Sequence, residues 1–131
     1  MPDLSLSGWQ ILVVEDEYLL ADDLQGSLSQ AGAKVVGPAP GVEEATMLMG
    51  ATAHIDAAIL DINLKGEMVF PVADLLRERG VPFVFATGYD AWAVPARFAE
   101  VPRVEKPLKG RNIVAALTPL LPQRADAGPT A

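Results

Sequence analysis

Four places along the chain set chemically useful side chains directly after short apolar runs. Glu15-Asp16 follow Ile11-Leu12-Val13-Val14, Asp61 follows Ala57-Ala58-Ile59-Leu60, Thr87 follows Pro82-Phe83-Val84-Phe85-Ala86, and Lys106-Pro107 follow a brief run from Val101 to Glu105. If these runs are parallel strands, ligands gather outside their carboxyl ends, and three carboxylates, one hydroxyl and one ammonium meet on one edge. Carboxylates so close repel one another and take up protons unless a cation stands between them. A hard divalent ion with oxygen ligands, such as Mg2+, answers that need. A carboxylate can then attack a phosphoryl group to give an acyl phosphate, while the metal and a lysine neutralise the transferring oxygens. Asp61, with Thr87 and Lys106 on neighbouring runs, is best placed as that nucleophile. Taken singly, Glu15-Asp16 would suit a helix start, Thr87-Gly88 a plain strand end and Lys106 a solvated charge beside a turn proline. Their occurrence together is what points to chemistry.

The elements that must position these residues follow from the alternation of apolar runs with helix-period stretches, the pattern of an α/β protein with a parallel sheet covered on both faces. After the first run, Leu20, Leu24, Leu28 and Ala31 recur at helical spacing until Gly32 supplies a cap. Lys34-Val35-Val36-Gly37-Pro38 reads as a second strand, with Val42, Ala45 and Met49 as a modest helix face behind it. Val69, Val72, Ala73 and Leu76 form a third face, and Pro71 sits near its start, where its missing N–H costs little. Ile113, Ala116, Leu117 and Leu120 share one face of a last helix.

The 131 residues make one domain, and 17 acidic against 10 basic residues give a net charge of -7. Scattered basic residues argue against direct contact with nucleic acid or anionic lipid, and partners are expected to be proteins, small molecules or cations. With no cysteine there is no disulfide, thiol nucleophile or Cys-ligated metal. The N-terminus lacks a signal-peptide pattern and no apolar run approaches a membrane span, so the expected location is the cytoplasm. Residues 123–131 offer nothing to bury and read as a disordered tail, and residues 1–7 read as an N-terminal extension. His54 reads as a surface-loop histidine, Trp9 as packing ahead of the first strand, and Trp92 as core cover.

Val13-Val14-Glu15-Asp16, Leu60-Asp61-Ile62-Asn63, Ala86-Thr87-Gly88 and Glu105-Lys106-Pro107-Leu108 resemble, in order, the motifs of the receiver domains of two-component response regulators, over residues 8–122. The resemblance implies a flavodoxin-like, doubly wound, five-stranded parallel sheet with strand order 2-1-3-4-5. It implies Asp61 as phosphoacceptor, Asp16 as a direct Mg2+ ligand and Glu15 as a ligand through water, with the backbone carbonyl of Asn63 completing the protein's share. Thr87 would hydrogen-bond the phosphoryl group, Lys106 would pair with it, and Lys106-Pro107 would be a cis peptide. Such a protein is no enzyme towards other substrates. It catalyses its own phosphorylation and dephosphorylation, takes its phosphoryl group from a histidine kinase, and signals to a downstream protein target or phosphotransferase, as a stand-alone receiver where no output region accompanies it.

Residues 82–89 are also similar to the Phe-Ala-Thr-Gly-hydrophobic-Tyr signature of the FAT GUY receivers of alphaproteobacterial signalling, which implies a kinase of the HWE type. Tyr89 fills the hydrophobic position, and Asp90 stands where the final Tyr would be. Arg103 stands where many receivers carry an aromatic switch, and Lys65 where a proline is common after the phosphoacceptor. Pro95 disfavours a helix from Asp90, so an extended loop to about Val94 and a short helix from Pro95 to about Glu100 are expected, burying little and opening easily. Three rival readings meet obstacles in the sequence. A haloacid-dehalogenase-like phosphatase would place its nucleophilic Asp first and its acid pair last, the reverse of the order here. An FMN binder needs a Ser/Thr/Gly phosphate cradle after the first strand, where this chain is acidic. A pseudo-receiver that binds without phosphorylation is opposed by the intact site.

Overall fold

Runs that are apolar at every position bury both faces of a strand, because successive side chains point to opposite sides. Leu12, Val14, Ala58, Leu60, Phe83 and Phe85 enter one core layer, while Ile11, Val13, Ala57, Ile59 and Val84 enter the other. The computed structural model describes residues 6–88, 94–106 and 108–121. In chain order the elements are β1 (Gln10–Val14), α1 (Tyr18–Gln30), β2 (Lys34–Ala39), α2 (Val42–Ala51), β3 (Ala57–Asp61), a small hairpin of β4 (Asn63–Leu64) and β5 (Glu67–Met68), α3 (Phe70–Glu78), β6 (Phe83–Thr87), a 3-10 turn (Ala96–Phe98), β7 (Arg103–Glu105), α4 (Gly110–Leu117) and a closing 3-10 turn (Thr118–Leu120).

The main sheet has five strands in the order β2-β1-β3-β6-β7, every neighbouring pair parallel. With the hairpin set aside this is the expected 2-1-3-4-5 arrangement. The core layer with α2 and α3 holds Ala45, Met49, Val72, Ala73 and Leu76, and the layer with α1 and α4 holds Leu24, Leu28, Ile113 and Leu117. Gly32 ends α1 as expected: at φ 91° it lets its own N–H reach the Ser29 carbonyl and the Ala33 N–H reach the Leu28 carbonyl. Pro38 is tolerated in β2 because the strand lies at the sheet edge and the register with β1 shifts there, between Leu12 and Val14. Leu6, inside the stretch read as an extension, is wholly buried, and Trp9 is buried as expected. No helix among the described residues is long and apolar enough to cross a membrane.

Two features depart from the sequence reading. The hairpin between β3 and α3 has no counterpart in it. The segment around Pro95 does start a short helical turn, but it does not bury little: Phe98 is completely buried and packs its ring 5.9 Å from Phe70, 6.0 Å from Phe83 and 5.8 Å from Phe85. The guanidinium carbons of Arg77 and Arg97 lie 4.8 and 4.6 Å from the same ring centroid. Arg97 also grips Asp74 of α3 through two hydrogen bonds, and Arg77 donates to the Arg97 carbonyl and to Glu100. The spacing of Phe98 from its neighbours in sequence carries no period, so only the folded packing reveals it. The expectations for Tyr89, for Trp92, for the Lys106-Pro107 peptide bond and for residues 123–131 lie outside the described residues.

Candidate functional site

Strand register brings the candidate residues to one edge. Val14 pairs with Leu60, so Glu15 comes level with Asp61; Asp61 pairs with Ala86, and Thr87 with Glu105, which places Lys106 just beyond. Two backbone bonds extend the ladder past the strands, from the Glu15 N–H to the Ala39 carbonyl and from the Lys106 N–H to the Thr87 carbonyl at 2.8 Å. The side chains of a site assembled from four separate segments of the chain are thus set by the sheet itself.

Glu15, Asp16 and Asp61 each offer a carboxylate oxygen within 4.8 Å of the others. Glu15, Asp61 and Thr87 are the buried polar residues among those described, at 2, 5 and 3% exposure. The Lys106 ammonium stands 3.0 Å from Asp61 Oδ1 and 3.7 Å from Glu15 Oε1. Glu15 Oε2 accepts the Glu17 N–H at 3.1 Å, whereas the buried Glu15 Oε1 has no hydrogen-bond partner among the described groups. A buried carboxylate oxygen that accepts no hydrogen bond and is approached by an ammonium only at 3.7 Å is costly unless a proton or a metal cation meets it.

The electrostatics follow from that burial. Glu15 is pushed up to about 8, first by burial and then by the nearby Asp61 charge, against the Glu17 N–H and Lys106, which pull it down. Burial also raises Asp61, while Lys106 opposes the shift. Burial by itself would lower Lys106, yet the Asp61 and Glu15 carboxylates together hold its ammonium above the ordinary lysine value. One ammonium therefore does not balance three carboxylates. The donor set is all oxygen and the deficit is positive charge, which fits a hard divalent cation held by Glu15, Asp16 and Asp61.

The other sequence candidates among the described residues lie as follows. Asn63 opens β4, two residues after Asp61, and its side-chain oxygen accepts the Gly66 N–H at 2.6 Å. Arg103 is exposed on β7. His54 is exposed ahead of β3 and pairs with Asp56, whose other oxygen accepts the Gln10 N–H at 2.8 Å, so it stands apart from the acidic cluster as a loop residue. Beside the cluster, Tyr18 and Leu19 begin α1 at 81 and 75% exposure, a pair of large apolar side chains that the periodicity of α1 passes over. The missed hairpin carries a sequence signal after all: Lys65-Gly66 between Asn63-Leu64 and Glu67-Met68 is a two-residue turn with glycine at its second position.

No protein-family model matches the chain. It is similar to SdrG from Sphingomonas melonis Fr1, at 41% identity and TM-score 0.76, over 86% of this chain and 96% of that one. A BeF3-activated conformation of SdrG, from Pseudomonas melonis Fr1, aligns at 39% identity and TM-score 0.72, over 92% of this chain and all of that one. A response regulator receiver protein from Sinorhizobium medicae WSM419 gives 28% identity and TM-score 0.73, over 88% of this chain and 95% of that one. The phyllosphere-induced regulator PhyR of Methylorubrum extorquens is 31% identical over 120 residues, 86% of this chain and 43% of the relative. The chain spans less than half the length of the curated relatives it matches.

Proposed function

We propose, for a chain that belongs to the receiver domains of two-component response regulators, that Asp61 accepts a phosphoryl group from a histidine kinase in a Mg2+-dependent reaction. The observation that carries the reading is the Asp61 carboxylate held between the Lys106 ammonium at 3.0 Å and the carboxylates of Glu15 and Asp16. Bound Mg2+ would supply positive charge to the transferring phosphoryl oxygens, with Asp16 and Asp61 as direct ligands, Glu15 through water and the Asn63 carbonyl completing the set. An Asp61 oxygen forms the new P–O bond as the P–N bond of a kinase phosphohistidine breaks. The electron pair leaves on the imidazole nitrogen, which takes a proton from solvent. Lys106 offsets the charge that Asp61 brings to the group, and the Thr87 hydroxyl is at the adjacent strand end to donate a hydrogen bond. The BeF3-activated conformation known for SdrG is support for the same chemistry here.

The resemblance of residues 82–89 to the FAT GUY signature, in a chain similar to SdrG and PhyR, supports a kinase of the HWE type and a cytoplasmic protein that signals through protein contacts as part of this reading. Exposed Tyr18 and Leu19, beside the acidic cluster, offer the kinase an apolar contact. The reaction is tested by incubating the protein with Mg2+ and acetyl phosphate. A mass gain of one phosphate, stable in acid, labile in base and lost in Asp61→Ala, is expected. Unchanged labelling of Asp61→Ala would overturn the assignment, and no labelling with either donor, acetyl phosphate or phosphorylated kinase, would leave a binding-only receiver.

A further inference from the structure

The hairpin after Asp61 is built on an unusual turn. Lys65 has φ 56° and Gly66 φ 91°, both in the left-handed region, as a two-residue type I′ turn demands. Lys65 is the one non-glycine residue with positive φ among those described. Non-glycine residues held there store strain and persist only where surrounding structure requires them.

The pairing sets Leu64 opposite Glu67 and Asn63 opposite Met68. One step further out, the Val69 N–H donates to the Ile62 carbonyl at 2.9 Å. Bonded and non-bonded pairs alternate along an antiparallel ladder. With Ile62 and Val69 bonded, Asn63 and Met68 form a non-bonded pair, and the N–H and carbonyl of Asn63 are left out of the hairpin's own bonding. The Asn63 side chain is engaged as well, because its oxygen accepts the Gly66 N–H. The backbone carbonyl is then what Asn63 has left to offer a cation two residues from Asp61. Buried Ile62, Leu64 and Val69 hold the base of the hairpin, and Glu67 accepts the Val42 N–H at 3.4 Å, tying it to the start of α2.

We propose that the Lys65-Gly66 turn and the Asn63 side chain are positioning elements for the metal, locking the register that keeps the Asn63 carbonyl available. The proposal rests on the Mg2+ reading above. A slip of one residue would exchange the two kinds of pair and turn that carbonyl onto β5.

The test compares Gly66→Val with Gly66→Asn. A Cβ at Gly66 would meet no atom within 4 Å, so both side chains have room and differ mainly in tolerance of the left-handed backbone. In calorimetric Mg2+ titrations Gly66→Val should bind roughly tenfold more weakly, and Gly66→Asn within about twofold of the unmodified protein. Lys65→Asn, which eases the same turn, should bind at least as tightly and slow hydrogen exchange at the Gly66 amide; it keeps the test decisive should Gly66→Val fail to fold. Asp16→Asn serves as the control. If Asp16→Asn loses Mg2+ while both Gly66 variants bind alike, the turn has no positioning role and the metal reading stands. If the unmodified protein binds no Mg2+, the metal reading fails and takes the proposal with it.

Discussion

Phe98 to alanine is the perturbation that most directly separates the folded packing from the loose segment expected of residues 95–100. The ring is fully buried, contacts Phe70, Phe83 and Phe85 at centroid distances of 5.8 to 6.0 Å, and is capped by the guanidiniums of Arg77 and Arg97. Truncating a buried phenylalanine costs about 3–5 kcal/mol through lost transfer energy and the cavity left behind. The aromatic contacts, roughly 0.5–1.5 kcal/mol each, and the cation contacts, roughly 0.5–1 kcal/mol each, push towards the upper end without adding in full. A loss of about 4 kcal/mol is a large share of the roughly 5–15 kcal/mol that holds a domain together, and corresponds to a fall in Tm of roughly 10–20 °C. Urea unfolding followed by circular dichroism measures it as a lowered midpoint at unchanged slope. Arg97→Ala, which removes an exposed ion pair with Asp74 and one cation contact with the ring, should lower the urea midpoint far less than Phe98→Ala. A Phe98→Ala loss under about 1.5 kcal/mol would refute the reasoning, because the segment would then be detaching independently of the core.

Further outcomes follow from the site. Lys106→Ala should leave Mg2+ affinity intact or tighter, since it removes a positive charge 3.0 Å from Asp61, while slowing labelling by acetyl phosphate; a large loss of metal binding would give Lys106 a structural role instead. Tyr18→Ala and Leu19→Ala should slow phosphotransfer from the kinase roughly tenfold and leave labelling by acetyl phosphate and the Tm unchanged, because both side chains are exposed. Equal slowing with both donors would count against a docking role. In metal-free protein, Glu15 is raised from 4.5 to about 8, so the folded state keeps a proton that the unfolded chain has released. Its contribution to stability is present in full below pH 4.5, declines as pH rises to about 8 and is flat beyond, and Mg2+ should restore most at the alkaline end. Urea midpoints across that range, with Glu15→Gln lacking the slope, check the sign.

What was legible in the sequence is what local pattern and residue type determine. Strands buried on both faces must be apolar at consecutive positions, and Ile11 to Val14, Ala57 to Leu60 and Phe83 to Ala86 say so without any tertiary knowledge. A charged or hydroxyl side chain directly after such a run must emerge at a sheet edge, which is how Glu15, Asp16, Asp61, Thr87 and Lys106 announced themselves. Their mutual distances were not legible, because a separation of 3.0 Å between Lys106 and Asp61 is set by the register of β3 on β6 and β6 on β7. The Lys65-Gly66 turn is only half legible, because its glycine suits the second position while a lysine at φ 56° contradicts its own preference and is held there by the buried residues on either side. Phe98 is illegible for a related reason. A lone aromatic three residues after a proline carries no period, and whether it lies in solvent or at the centre of an aromatic cluster depends on three phenylalanines that reach it from α3 and β6. Periodicity and residue type act within a few positions of the chain, whereas packing partners are chosen among segments brought together only by the finished sheet.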